Sequence, residues 1–474
     1  MTRIDSLRFK LRRFLSKEWV TSLIMISIVI GAASGVASII FYIFLREFHQ
    51  FFFKYILNYH IPEPSNPEFD VNWVPLNPFL LLVTSVGGLV SGILVYKFAP
   101  EAEGHGTDAA IAAFHRYAGD VRARVPLIKI LASVFTIGSG GSAGREGPMA
   151  QIGSGVASLL SKVLGLPSRI RRLSVAVGIG AGIGSIFKAP LGGAIFGVEV
   201  LYKRDFEVEA LLPAFIAAII GYTIFGFYDG FNPIFNMPRI AFRYPFELLF
   251  YIILGIVCGL AGILYVKIFY WIRHVFHLIN IPNYLKPALG GLITGVIGLL
   301  FPHILSTGYG WLTLFAYGMF PYPMQNGGWH IFSVSQDWMI IIVILIILAL
   351  MKILATAFTI GSGGSGGVFA PGLFIGGSLG AALAILIIML FPDYIVDKEA
   401  FLASFVIIGM LSLFGGVSNA PLAVLIMVSE MTGSYELIAP SMLSISISYF
   451  IARNYTIYPE QLLDREHAPA HWRA

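Results

Sequence analysis

The sequence predicts an all-α polytopic membrane protein made of two related halves, and three observations carry that expectation. Apolar residues form 57% of the 474-residue chain and charged residues only 12%, with a mean hydropathy of +0.80. That is too little charge to cover a water-soluble protein of this length. Long uncharged runs recur: Trp19 to Leu45 is 27 residues without a charge, and Trp338 to Met351 is apolar up to Lys352. About 20 apolar residues span a bilayer, and a spanning helix satisfies its own backbone. Finally, FTIGSGGSAGREGP at 135–148 returns as FTIGSGGSGGVFAP at 358–371.

In chain order, residues 1–18 come first, with Arg3, Arg8, Lys10, Arg12, Arg13 and Lys17, and with Leu7, Leu11 and Leu15 four apart. This reads as a basic amphipathic helix on the cytoplasmic face. The apolar run after it is too long for a cleaved signal peptide. Residues 19–230 read as a first membrane repeat and 231–455 as a second. The Pro-, Asn- and aromatic-rich stretch 228–245 connects them at the membrane edge, and 456–474 reads as a short cytoplasmic tail. The net charge of +5 suits a topology signal and gives no reason to invoke nucleic acid. The single cysteine, Cys258, excludes intrachain disulfides and Cys-rich metal sites. No cofactor or metal is implied.

The duplication extends beyond the glycine phrase. Lys129-Ile130-Leu131-Ala132 precedes the first copy as Lys352-Ile353-Leu354-Ala355 precedes the second. Ala189-Pro190-Leu191 leads to Glu199, and Ala420-Pro421-Leu422 leads at the same spacing to Glu430. Landmarks in constant order mark two homologous halves. Transporters built this way place their site between the halves, on broken helices. Gly138 to Gly141 and Gly361 to Gly364 disfavour continuous helix, while Pro148 and Pro371 suit a first helical turn. Each phrase therefore reads as looped or strand-like backbone feeding a helix start. Such a start offers unpaired N–H groups and about +0.5 charge, a ready anion site. Two of them hold an anion without the fixed cation that would retain it too tightly for transport. The alternative is that the glycines serve only close helix packing.

Only the first copy carries Arg145-Glu146. An ionisable side chain at membrane depth points to function. A carboxylate among helix-start N–H groups mimics an anion and plugs the path until it is protonated or displaced. The alternative is a simple Arg–Glu pair at the membrane surface, although adjacent helical residues do not face each other. The symmetric Glu199 and Glu430 suggest a structural role at helix ends. Lys188 and Arg204 read as vestibule charges or interface anchors; Arg169, Arg171 and Arg172 read as a solvated connection.

Enzymatic readings fail. Gly363-Gly364-Ser365-Gly366 fits the GxSG pattern of rhomboid-type serine proteases, whose chemistry needs a histidine base on a later membrane helix. Only His467 and His471 follow Ser365. Neither glycine phrase continues into the Lys-Ser or Lys-Thr of a P-loop. A sodium-coupled organic-anion transporter would share repeats and broken helices, but it would want coordinating carboxylates.

GREGP at 144–148, GVFAP at 367–371 and the duplicated frame around them resemble the CLC family of chloride channels and chloride/proton exchangers, from about Trp19 to the Tyr458 region. The resemblance implies an inverted repeat of tilted and broken transmembrane helices in the cell membrane, and a homodimer with one pore per subunit. It also implies contact with lipid and a cargo of chloride, with other small anions and protons in reserve. It implies roles as well. Glu146 matches the external gating glutamate. The N–H groups of Val368 and Phe369 match those on the central chloride, with Gly106, Arg145 and Gly147 beside them. In NYTIYPEQL, Tyr458 rather than Tyr455 matches a tyrosine hydroxyl on that ion. Lys129 matches a buried lysine that raises the local potential without touching it.

Two departures stand out. The family's GSGIP is Gly104-His105-Gly106-Thr107-Asp108 here, with His105 in place of the anion-binding serine and Asp108 in place of proline. A neutral histidine donates a hydrogen bond, and a charged one binds anions more strongly; otherwise a backbone N–H or Thr107 serves. Fluoride-exporting relatives tend to carry methionine there and nitrate-preferring ones proline, so chloride is the expected cargo. The inward-facing proton glutamate of exchangers falls at Val200, one residue after Glu199. Helical neighbours point about 100° apart, so Glu199 does not stand in for it. Valine at this position resembles the channel branch. A gated chloride channel with Glu146 as its gate is the expectation, and a chloride/proton antiporter with a non-glutamate internal path is the alternative. The end of the chain is expected to be too short for nucleotide-sensing CBS domains.

Overall fold

A computed structural model of the chain describes residues 19–65, 77–238, 240, 242, 244–323, 329–333 and 337–469. The basic helix expected over 1–18 lies outside the described residues. The first half contains α1 (Trp19–Gln50), α2 (Phe79–Phe98), α3 (Thr107–His115), α4 (Val125–Gly138), α5 (Glu146–Val163), α6 (Ser168–Ile186), α7 (Pro190–Glu199) and α8 (Val208–Asp229). The second half repeats the series as α9 (Glu247–Leu278), α10 (Lys286–Leu300), α11 (Tyr309–Ala316), α12 (Trp338–Gly361), α13 (Phe369–Leu390), α14 (Lys398–Ser418), α15 (Pro421–Thr432) and α16 (Ile438–Ala452). The match holds element by element. Both α1 and α9 have 32 residues, and both α3 and α11 are short, at 9 and 8. Among the described residues, a small antiparallel hairpin, β1 (Met319–Pro323) with β2 (Trp329–Ser333), interrupts only the second half. Among the described residues, eight helices are long and apolar enough to cross a membrane.

Local chemistry sets the boundaries. Proline opens α4, α7, α10 and α15, where its missing N–H removes no helical bond. The glycine phrases end α4 and α12. Gly140 and Gly363 both sit at φ +103°, a backbone open to glycine alone, and the chain then restarts as α5 and α13. Other glycines set helix spacing. A methyl group on Gly153 would strike the Gly178 carbonyl between α5 and α6, and one on Gly376 would strike the Gly409 carbonyl between α13 and α14. Buried hydroxyls turn back onto their own helices, as in Ser27 to Leu23 O, Ser38 to Ser34 O and Ser378 to Phe374 O. No polar atom of theirs is left to lipid.

The two faces of the molecule differ in charge. One is tied together by Arg116–Glu460, Arg122–Glu101, Lys162–Asp120, Arg169–Glu209 and Arg465–Glu207 pairs. The other holds Pro64, Asn236 and the Lys188–Asp229 pair. Arg124, Arg171, Lys203, Arg204 and Arg273 lie beside the first set of pairs, and the positive-inside rule makes that cation-rich face cytoplasmic. The end of α1 leads to Pro64 on the outer face, whereas α9 ends near Arg273 on the inner one. Matching helices thus run in opposite directions, and the repeat is inverted.

Some expectations need correction. Arg169, Arg171 and Arg172 lie in the first turns of α6 rather than in a connection, because Pro167 stops the incoming chain and Ser168 begins the helix. Arg171 Nε donates to Ala118 O at 3.0 Å. Lys188 is taken up by Asp229 at 2.7 Å. The segment 456–469 is no free tail. Ile457 N–H donates to Val417 O at 2.9 Å, Tyr458 and Gln461 are buried, and Leu462 bridges to Tyr202.

The symmetric glutamates cap helices across the halves. Glu199, at the end of α7, accepts the N–H groups of Leu422 and Ala423 at the start of α15, at 3.2 and 2.6 Å. Glu430, at the corresponding place on α15, accepts those of Leu191 and Gly192 at the start of α7, at 3.2 and 2.7 Å. Each half closes the open end of the other. Glu199→Ala is expected to lower the stability of the detergent-solubilised protein by about 1–3 kcal/mol, the cost of stranding buried donors. Glu199→Gln should cost less; thermal unfolding of the two variants checks this.

Candidate anion-transport site

Three helix starts converge where the halves meet. The breaks before α5 and α13 pair as a miniature antiparallel bridge: Gly144 N–H donates to Gly367 O at 2.8 Å, and Gly367 N–H to Gly144 O at 2.7 Å. The break before α3 joins them, with Gly104 N–H to Gly364 O and Gly366 N–H to Gly104 O, both at 3.2 Å. A methyl group on Gly147 would strike the His105 carbonyl, and one on Gly106 the Gly147 carbonyl, so the starts of α3 and α5 touch. The glycine phrases therefore break the helices and also bring three sets of helix-start N–H groups to one place.

Glu146 occupies that place. Its Oε1 accepts the N–H of Phe369, the first residue of α13, while its Oε2 is buried with no partner. The carboxylate also lies against Gly144 and Gly367, where any side chain would collide with it. Arg145 turns away. Its guanidinium sits over the rings of Phe187, Tyr42 and Tyr309 at 5.4, 5.7 and 5.9 Å. The Arg–Glu pair considered from the sequence does not form.

Below Glu146 are His105 and Tyr458. Both are buried, their rings are 5.4 Å apart, Thr107 lies against the Tyr458 hydroxyl, and His105 Nδ1 has no hydrogen-bond partner in the protein. Buried polar atoms without partners are uncommon and call for a missing ligand or water. Phe196, Phe369 and Phe414 wall the same spot, with Phe414 4.8 Å from Phe369 and 6.3 Å from Tyr458. Tyr265 Oη donates to Val368 O at 3.1 Å, which fixes the turn that presents the Phe369 N–H. Tyr455, the rejected candidate, lies elsewhere, beneath Lys267 at 5.1 Å.

Lys129 is fully buried, and its ammonium donates to Ala102 O and Gly104 O at 3.0 and 2.8 Å. It braces the strand leading to His105. Lys352 does the same in the other half, to Ile304 O and Ser306 O, both at 2.8 Å. The sequence showed Lys352 as a landmark of the repeat, but its partners are far away in the chain. Val200 is buried at the end of α7, and its carbonyl accepts from Gln461 Nε2 at 3.0 Å. Gln461 also bonds Ser418 O and Asn419, so the neighbourhood of Val200 is polar though its side chain is not. Nothing in the sequence singled out Gln461.

This arrangement has known counterparts. Residues 87–453 match the family model described as "Voltage gated chloride channel". A relative from Ralstonia nicotianae, described as a ClcB-like chloride channel protein, is 32% identical over 78% of this chain and 82% of its own length. The H(+)/Cl(-) exchange transporter ClcA of Yersinia pestis is 29% identical over 77% of this chain and 72% of its own. The crystal structure of a slow cyanobacterial Cl-/H+ antiporter covers 91% of this chain and 94% of its own, at 24% identity and a TM-score of 0.75. With inverted halves, a carboxylate at the joined helix starts and these matches together, the chain is an integral membrane protein of the CLC chloride channel and transporter family.

Proposed function

We propose that the chain exchanges chloride for protons across the cell membrane, with Glu146 handling both. Chloride is the cargo named for the family and for its relatives. The channel expectation rested on Val200 alone. The exchanger name of the Yersinia relative favours the alternative, an antiporter with a non-glutamate internal path. The observation that carries the reading is the seat of Glu146: a carboxylate among helix-start N–H groups, with that of Phe369 donating to it, where an anion would otherwise sit.

The chemistry follows from that seat. Ionised Glu146 competes with chloride for the Phe369 N–H. Protonation removes its charge and weakens it as an acceptor, so the side chain leaves and chloride takes the donors. The donors open to it are the N–H groups at Val368 and Phe369, the Tyr458 hydroxyl and His105, with Gly106, Gly147 and Arg145 around them. None is a full positive charge in contact, so the ion is free to leave. Lys129 raises the local potential while its own ammonium stays on carbonyls. Carboxylate and chloride exclude one another, and this couples a proton moving one way to chloride moving the other. Exposed Leu191, Leu422, Leu212 and Ile219 suit burial against a second copy of the chain in a homodimer, with the remaining apolar perimeter against lipid.

In sealed vesicles holding the purified protein, a chloride gradient should drive protons uphill in the opposite direction. Chloride flux with no proton movement would restore the channel reading. Native chloride flux should rise as pH falls, because protonation vacates the seat. Glu146→Gln should end proton movement, keep chloride flowing and flatten that pH dependence; a profile like the native one would remove Glu146 from the gate. His105→Ser should reorder the relative fluxes of chloride, nitrate and fluoride, and unchanged ratios would place His105 outside the path.

A further inference from the structure

An exchanger must load its carboxylate with protons from the inner side, and the family's usual inner position offers none, since Val200 is apolar and enclosed. A different entry is open. A cavity of about 810 Å³ lies on the cytoplasmic face, with Tyr117, Asp120 and Arg122 at its rim and Gly104, His105 and Gly106 at its inner end. Its wall holds Asp108, in the first turn of α3, where the motif resembled at the sequence level has a proline. One Asp108 oxygen accepts the Glu460 N–H at 2.9 Å. The charged and titratable groups around it are Arg273 and Tyr270 from α9, Glu460 and Tyr458 from the C-terminal segment, and Arg116 from the end of α3. Arg273 and Glu460 line the same cavity. At the cavity's inner end is a second, independent feature: His105 is only 3% exposed, and its Nδ1 has no partner.

We propose that Asp108 is the inner proton carrier of this protein, taking protons from the cytoplasmic cavity and passing them by way of His105 toward Glu146. The inference rests on the exchange reading above. A hydronium ion at the cavity mouth gives one proton to the Asp108 carboxylate and becomes water. The acid gives that proton to His105 Nδ1, and the imidazole releases one from its other nitrogen toward the ionised Glu146. Asp108 returns to its carboxylate, His105 is left as its other tautomer and resets by a turn of its ring before the next proton, and only O–H and N–H bonds are made or broken. Protons would then enter through the vestibule that also serves chloride, and the valine would need no substitute nearby.

The rival inner carboxylate is Glu207. It is fully buried, accepts a hydrogen bond from Tyr202 Oη at 2.7 Å and pairs with Arg465 at 3.4 Å. The full chain in sealed vesicles decides between them, with chloride and proton fluxes recorded together. Asp108→Asn preserves the acceptor for Glu460 and should lower the proton-to-chloride ratio by about 100-fold, the low end of what a positioned proton carrier contributes. It should also abolish the dependence of proton flux on inner pH. Asp108→Glu should restore both. Glu207→Gln should pump at the native ratio. Native-like pumping by Asp108→Asn, or loss of pumping in Glu207→Gln alone, would overturn the assignment. If Asp108→Asn moves no chloride, Asp108→Glu decides: retained coupling supports the assignment and lost coupling ends it. A native protein that moves chloride without protons refutes the exchange reading itself, and this inference with it.

Discussion

A helix that begins inside a bilayer leaves N–H groups that neither water nor lipid can satisfy, and the architecture answers that constraint. At two starts the answer is permanent: Glu199 takes two N–H groups of α15, and Glu430 takes two of α7. At α13 Glu146 uses the same device: its Oε1 accepts the Phe369 N–H, the Glu146 and Ala370 N–H groups lie beside the carboxylate, and its Oε2 has no direct partner. Glu199 and Glu430 engage both of their oxygens directly, and Glu146 one.

Cations are kept off the ion's position by related means. Lys129 and Lys352 spend their ammonium groups on carbonyls, and the Arg145 guanidinium lies among three aromatic rings. A full charge in contact would deepen the anion's well and slow its departure. Placed behind those carbonyls, the lysines would favour an anion electrostatically in the proposed cycle, and peptide dipoles would make the contact.

Much of this was legible in the sequence, for an identifiable reason. The helix breaks depend on glycines that no other residue replaces, so both copies still spell the same phrase. The duplication exposed Glu199 and Glu430 as equivalents and the lone Glu146 as the odd one out. What was hidden is pairing between the halves. Glu199 caps a helix 223 residues away, and Gln461 reaches Val200 across 261; local spacing carries no trace of such partners. The arginines after Pro167 looked like a loop because polar residues dominate there, although the proline was the start of a helix. Asp108 was visible as a substitution, but only the folded chain sets it in the wall of a cavity that ends at His105. Tyr458 could be chosen over Tyr455 only through resemblance, since both lie in the same short polar stretch.

The bridge between Gly144 and Gly367 has a further mechanical meaning. Its two hydrogen bonds stitch the inverted halves together beside the Glu146 carboxylate. A transport cycle that rocked one half against the other would have to tear that seam at every turnover. In the proposed exchange, movement would then fall to side chains such as Glu146, around a stationary seam. Most of the framework stays still while the cargo passes.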